Sequence, residues 1–324
     1  MKGKKIGMIL FACIVCFGLV SNNLAARGQR GDSGEKKYTI MYISPMVAHP
    51  VWLIAKAGFD AAAAEFGFNG IWTGADDHSV EKTVEAMENA IVQRPDAMVI
   101  CPFAPAAFTN ALKKAREAGI VVTVSAVDAA SEDLRAAFVG TDDVASGTEQ
   151  VKQIINKLPK GQEVRIGIIM SNLDSENQVR QVNAAEQYMK SNGVPYKILD
   201  KQADFADANR CVEIVTNMVR AHPDMNAIMA LEGGAAPAIG KAFEELGVGN
   251  KIVAVAMDGT DLNLETVRAG KITGVMAQNQ FRWGYDTGKY AYLALKGEKV
   301  PSFTDSGVKF IDKSNVDTFD PMAK

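Results

Sequence analysis

The 324-residue chain predicts an α/β fold built as two doubly wound, mostly parallel-sheet lobes. Three observations carry this expectation. Short β-branched runs alternate with longer amphipathic segments. The apolar runs are continuous rather than alternating, which requires burial on both faces of a sheet. The chain also contains a diverged internal repeat, so one βαβ-rich unit is encoded twice.

The expected strands, in order, are Tyr38–Ile43, Gly70–Trp72, Ala97–Cys101, Val121–Ser125, Val164–Met170, Tyr196–Leu199, Ala227–Ala230, Ile252–Met257 and Thr273–Ala277. Between them, Val84, Met87 and Ile91 recur at helical spacing, as do Val212, Val215 and Val219. The repeat aligns Arg94-Pro95-Asp96 with His222-Pro223-Asp224. In each half there follow an apolar strand, an Ala/Pro turn, a charged helix closed by Gly119 or Gly247, and a second strand ending near Asp128 or Asp258. The spacing from Asp96 to Asp128 is 32 residues and that from Asp224 to Asp258 is 34.

Before this body, Lys2, Lys4 and Lys5 precede an apolar run from Ile6 to Val20 and the small residues Ala25-Ala26. The pattern is that of a secretory signal peptide over residues 1–26. Its apolar run is shorter than the roughly 20 residues of a permanent membrane span. A lipoprotein-type cut at Cys13 would leave apolar residues where a polar tether belongs, so cleavage after Ala26 is expected. A polar, glycine-containing leader, residues 27–37, follows. Removing the signal takes three lysines and no acid, which moves the net charge from −3 to about −6. An acidic body with no broad cationic surface argues against nucleic acid as a partner. Of the four cysteines, Cys101 and Cys211 remain, and their apolar settings read as buried packing rather than a disulfide framework.

Enzyme signatures are missing from the sequence: no G-x-S-x-G, no G-x-x-x-x-G-K-[ST], and no G-x-G-x-x-G after the first strand. His49, His78 and His222 lack partners at metal-ligand spacing, so neither a catalytic site nor a metal or cofactor is expected. His222 reads as a turn residue, and His78, beside Asp76 and Asp77, as a solvated loop.

Open α/β sheets bind ligands beyond the carboxyl ends of their strands, and two such ends facing each other form a cleft. The strand-end segments hold Trp52, Phe205, Phe281 and Trp283 beside Asp128, Arg180, Asp258 and Gln278. Aromatic faces pack against sugar C–H groups, and carboxylates, amides and guanidinium hydrogen-bond to hydroxyls. Phe281 and Trp283 fit either ligand contact or core.

The chain resembles the periplasmic sugar-binding proteins of ABC transporters, nearest the ribose-type branch, from about Tyr38 to Phe310. The segments that carry the resemblance are His49-Pro50-Val51-Trp52, Val139-Gly140-Thr141-Asp142-Asp143, Ala203-Asp204-Phe205, Ala221-His222-Pro223-Asp224, Met257-Asp258-Gly259-Thr260 and Ile272 through Gln278. It implies that Trp52 and Phe205 are aromatic walls, that Arg180 and Asp258 grip hydroxyls, and that Gln278 is an amide near the hinge. Asp128 stands in for the carboxylate of a ribose-type Asp-Arg pair, while His49 and Glu232 complete the candidate ligand set. Glu232 occurs where the family has asparagine, Val51 where it has an aromatic and Asn183 where it has glycine. Trp72-Thr73-Gly74 and Gly233-Gly234-Ala235-Ala236-Pro237 lean toward the rhamnose-type and autoinducer-2-type branch, so the sugar stays open.

The resemblance further implies two lobes, residues 38–142 plus 279–306 and residues 143–278 plus 307–324. Three hinge crossings are expected, near Asp142-Asp143, Gln278-Asn279 and Ser306-Gly307. It implies a monomer outside the cytoplasm that hands a monosaccharide or small polyol to a membrane permease. The alternative is a chemosensory or quorum-signal component that reports to a chemoreceptor. Sugar-responsive repressors share the two-lobed core, but a secreted acidic chain does not suit that class.

Overall fold

The computed structural model describes residues 37–249 and 251–323. The expected signal peptide, Cys13, and the leader through residue 36 lie outside the described residues.

The first half of the described chain runs β1 (Thr39–Ser44), α1 (Pro50–Phe66), β2 (Asn69–Gly74), α2 (Val80–Val92), β3 (Ala97–Ile100), α3 (Pro105–Glu117), β4 (Val121–Ser125) and β5 (Ala137–Gly140). The second half follows as α4 (Asp143–Lys157), β6 (Val164–Met170), α5 (Glu176–Ser191), β7 (Tyr196–Ala203), α6 (Ala208–Ala221), β8 (Ala227–Ala230), α7 (Ala235–Leu246), β9 (Val253–Met257), α8 (Asp261–Arg268) and β10 (Gly274–Gln278). The chain closes with α9 (Gln280–Leu295), β11 (Phe303–Asp305) and β12 (Val308–Asp312).

Two six-stranded sheets result, ordered β11-β5-β4-β3-β1-β2 and β12-β10-β9-β8-β6-β7. These orders are the same topology used twice. All pairings are parallel except that of β12, which runs antiparallel to β10. The nine strands expected from sequence form, with ends shifted by a few residues. β5, β11 and β12 were not anticipated as strands. β5 and β11 are only four and three residues long, and β12 is an edge whose Lys309 is exposed, so none presents a long apolar run.

Double-sided burial explains the continuous strands. In the first sheet Ile40, Tyr42, Ala97 and Val99 face one core, whereas Met41, Ile43, Met98 and Ile100 face another. The second sheet divides likewise, Ile168 and Met229 to one side and Ile169 and Ile228 to the other. Cys101 and Cys211 are both buried and unpaired, as their apolar settings suggested. His222 closes α6 and its carbonyl accepts from Met225 N, a turn role.

The chain passes between the sheets at three places: after β5, between β10 and α9, and between β11 and β12. Hydrogen bonds lace these passages together. Ser306 N donates to Gly140 O (2.8 Å), Thr141 Oγ1 lies 3.1 Å from Ser306 Oγ, and Trp283 Nε1 donates to Ser306 Oγ (3.0 Å). The Asp305 carboxylate accepts from Asp142 N and Gly307 N at 3.2 and 2.9 Å.

After leaving β10, α9 packs backbone to backbone against α1. A Cβ on Gly284 would stand 1.8 Å from Ala55 O, and one on Gly58 1.9 Å from Phe281 O. Only glycine permits that approach. Gly284→Ala should therefore force the helices apart and cost about 1–3 kcal/mol. Urea denaturation should show a lowered midpoint, and an unchanged midpoint would refute the close packing.

Candidate functional site

Where the carboxyl ends of the two sheets meet lies a cavity of about 120 Å³. Its walls come from nearly every strand-end segment. From the first sheet they include Met46, His49, Val51 and Trp52 after β1, His78 after β2, Phe103 after β3 and Ala126 after β4. From the second they include Ser171, Asn177 and Gln178 after β6, Ala206 after β7, Glu232 and Gly233 after β8, Asp258 after β9, and Gln278.

The first-sheet wall is largely aromatic and apolar. His49 precedes α1, with Pro50 at its first position, and the Trp52 amide donates to the His49 carbonyl (2.9 Å). This first turn places Trp52 on the cavity, its ring 5.8 Å from that of Trp283. Trp283, on α9, is held by its hydrogen bond to Ser306. His78 stacks on Phe103 with ring centroids 4.1 Å apart. The Nδ1 of His49 is buried without a hydrogen-bond partner, and burial, aided by the neighbouring His78, holds its imidazole below the usual histidine range.

The second-sheet wall carries the acids. Asp258 has a left-handed backbone, φ 71°, and its Oδ1 accepts from Gln278 Nε2 (2.9 Å) and Gln280 Nε2 (2.5 Å). A non-glycine residue in that region is strained by about 1–3 kcal/mol, which the surrounding bonds must offset. Asn263 Nδ2, on α8, reaches the carbonyls of Gly233, Met257 and Asp258 at 2.7, 2.9 and 2.9 Å, fixing two strand-end loops at once. Glu232 Oε2 accepts from Gly234 N (2.7 Å). Gln178 joins β6 to β8: its Oε1 accepts from Ser171 N (2.9 Å) and its Nε2 donates to Leu231 O (2.8 Å). A Cβ on Gly233 would approach Asp258 Oδ2 to 2.6 Å and Val51 Cγ2, across the cavity, to 2.9 Å.

Burial dominates the electrostatics. Among the described residues no lysine or arginine lines the cavity. Desolvation, reinforced by Asp204 and Asp258, pushes the Glu232 carboxyl up to about 8. Asp258 rises to about 6 from burial, although Gln278 and Gln280 counteract it. Asp204, fully buried just behind this wall, also rises to about 6 through burial. Among the described residues no group of three or more His, Cys, Asp or Glu stands ready to hold a metal. The cavity offers aromatic faces, the amides of Asn177, Gln178 and Gln278, a protonated Glu232 able to donate, and an Asp258 carboxylate able to accept. That set can bind and orient a small, hydroxyl-rich molecule.

Of the candidate residues, His49, Trp52, Glu232, Asp258 and Gln278 line this cavity, and Asp128, Arg180 and Phe205 do not. Each departure has a physical reason. Asp128 is engaged by Arg135, whose Nε and Nη2 donate to its two oxygens at 2.5 and 2.7 Å. The topological counterpart of Asp258 is instead Ala126. Each is the first residue past its strand, each has positive φ (62° and 71°), and each amide bonds the next strand, to Val139 O and Met276 O. Arg180 sits two residues beyond Gln178 on α5, roughly 200° around the helix. It points outward and pairs with Asp143 (2.8 Å) and Glu176 (3.6 Å). Phe205 is 55% exposed with Arg210 over its ring at 4.7 Å, and its neighbour Ala206 reaches the cavity. Phe281 is buried and does not line the cavity. Sequence reasoning missed Gln178, His78, Phe103 and Gln280. Gln178 stands two residues before Arg180 in the same strand-end segment, and a helical-wheel comparison of the two would have favoured it.

The family described as periplasmic binding protein domain matches residues 40–299. Over 286 residues the chain is 25% identical to the ribose import binding protein RbsB of Bacillus subtilis, covering 86% of this chain and 88% of that one. It is 22% identical to the xylose/arabinose-binding protein XylF of Sulfolobus acidocaldarius, covering 87% and 73%. Among solved structures, an ABC transporter solute binding protein from Agrobacterium vitis with bound D-fucose superposes with a TM-score of 0.81 at 26% identity, covering 86% of this chain and 97% of that one.

Because the Glu232 carboxyl is raised from its ordinary 4.5 to about 8 in the fold, the stability it contributes is complete below about pH 4.5 and lost as pH rises through about 8. Glu232→Gln, which keeps an acceptor for Gly234, should flatten this loss and stabilise the ligand-free protein at pH 8.5 by on the order of 3 kcal/mol. Thermal unfolding of both proteins between pH 4.5 and 8.5 measures it, and parallel curves would contradict the assignment.

Proposed function

From the premise that this chain belongs to the periplasmic binding protein family, we propose that it captures a monosaccharide or related small polyol between its two lobes and delivers it to an ABC transporter permease. The observation that carries this reading is the cavity shared by the strand ends of both sheets, with Trp52 on one side and Asp258 bonded to Gln278 on the other. A sugar ring packs its C–H face on the indole while Asp258, Glu232 and the amides take its hydroxyls. Hydrogen bonds to charged groups contribute roughly 1.5–3 kcal/mol each, enough for a few to give micromolar binding or tighter. The curated relatives named for ribose, xylose, arabinose and allose support a sugar over other small solutes.

The lobes, residues 38–142 plus 279–306 and 143–278 plus 307–324, close about the three chain passages when ligand bridges both walls. Closure then depends on ligand, because only a bound molecule contacts both halves. A permease reads the closed shape, and the sugar leaves chemically unchanged. The protein works outside the cytoplasm as a monomer. A structure titled XylFII-LytSN complex has the same fold, which keeps a signalling partner as the second reading of this cavity. Uptake and chemotaxis assays after gene deletion separate the two.

A thermal-shift screen of pentoses, hexoses, deoxy sugars, polyols and furanosyl signals should raise the melting temperature with at least one compound. Recovery of a chemically altered sugar would overturn the binding-only reading. With the compound found, Asp258→Ala should weaken binding by about 2–5 kcal/mol, because it leaves ligand hydroxyls and two buried amides unpaired. Arg180→Ala, at a half-exposed residue outside the cavity, should stay within about 0.5 kcal/mol of wild-type binding. Isothermal titration calorimetry distinguishes the two outcomes, and equal losses would discredit the assignment.

A further inference from the structure

The second-sheet wall of the cavity is acidic, and no cation beside it answers that charge. Glu232 and Asp258 are 7% and 5% exposed, and both line the space. Asp258 receives its two amide donors on Oδ1, and Glu232 receives Gly234 N on Oε2. Among the described residues, the second oxygen of each carboxyl receives no side-chain donor. That of Asp258 faces the cleft, because the empty Cβ position of Gly233 lies 2.6 Å from it and 2.9 Å from Val51 Cγ2 on the opposite wall. Arginines of the neighbouring segments are committed elsewhere: Arg135 to Asp128, Arg180 to Asp143, and Arg210 to the Ala203 carbonyl. On the facing wall, burial holds His49 and His78 below the usual histidine range, so neither brings charge near neutral pH. Asp204 behind the wall adds a third buried acid. Acids packed this way without a counter-ion are unfavourable unless a proton or a bound cation neutralises them.

We infer that the natural ligand is an amino sugar, a monosaccharide in which a protonated amine replaces one hydroxyl, with its ammonium held between Glu232 and Asp258. The inference rests on the reading of this cavity as a monosaccharide site and narrows it. An ammonium carries three N–H donors and no acceptor, so it can serve both open carboxyl oxygens, whereas a hydroxyl donates to only one. Its charge lets both acids ionise in place and makes each bond charge-assisted. The ring's C–H face and remaining hydroxyls keep Trp52 and the cavity amides as their partners. Binding then has a signature that a neutral sugar lacks. Glu232, protonated near neutral pH in the empty protein, gives up its proton to solvent when the ammonium arrives.

Calorimetric titration near neutral pH tests the inference. The amines are D-glucosamine, D-galactosamine, D-mannosamine, kanosamine and perosamine. The neutral sugars are their hydroxyl parents D-glucose, D-galactose, D-mannose and D-rhamnose, with D-ribose, D-xylose and L-arabinose, and choline supplies an ammonium without a ring. At least one amine should bind about tenfold tighter than its parent, the difference between charged and neutral hydrogen bonds. Its binding heat should vary with the ionisation enthalpy of the buffer, reporting more proton release than the parent sugar causes. Glu232→Gln, which cannot ionise but keeps an acceptor for Gly234, should bring amine and parent to within about threefold of each other. Neutral sugars bound with no amine preferred, a preference that survives Glu232→Gln, or equal proton release by amine and parent overturns the amino sugar while the monosaccharide reading stands. No binding across the panel, or binding of choline alone, overturns both.

Discussion

A carboxylate buried at the point where the chain changes lobes is the constraint around which the site is organised. Asp258 is 5% exposed, and its two amide donors lie on either side of Asn279. Gln278 ends a strand of the second sheet, and Gln280 begins the helix that packs on the first. One side chain therefore contacts the cavity and the passage between lobes together. Removing a charge from water costs several kcal/mol unless bonds replace the hydration, and the paired amides supply part of that. The remainder appears as a raised pKa, which a bound ligand's hydroxyls would relieve.

The duplicated architecture makes the difference between the halves informative. Ala126 and Asp258 occupy the same place past their strands, with matching amide bonds and the same left-handed turn. Ala75 and Asp204 correspond in the same way, their amides bonding Ser44 O and Met170 O. Two equivalent positions thus carry alanine in one lobe and a carboxylate in the other. The aromatic wall belongs to the first lobe and the acidic wall to the second, so neither forms a complete site by itself. Asn263 and Gln178 are the supports of this division, since each pins strand-end loops that would otherwise be free to move.

Much of the cavity lining was legible once strand ends were counted. His49, Trp52, Glu232, Asp258 and Gln278 were found because each follows a strand closely and carries a side chain able to meet a polyol. Arg180 and Phe205 belong to segments that do reach the cavity, but their neighbours Gln178 and Ala206 are the members that line it. On a helix, two residues of offset turn a side chain to the opposite face, and at Phe205 the positive φ redirects the chain so that Ala206 points inward. Asp128 lies off the cavity for a different reason. Its partner Arg135 lies in the connection to β5, a short strand with too little apolar pattern to be recognised.

By itself the sequence determined the class of fold, its duplication and the segments that face the cleft. Those features are local or periodic: apolar runs sized for strands, helical spacing between them, and turn residues at recurring offsets. The tertiary structure decided which side chain in each segment turns toward the cavity and which acids keep their charge. Direction depends on register and backbone angle, and charge depends on desolvation and on partners distant in sequence, such as Asp258 with Gln280 or Glu232 with Asp204. Neither quantity exists until the chain is packed.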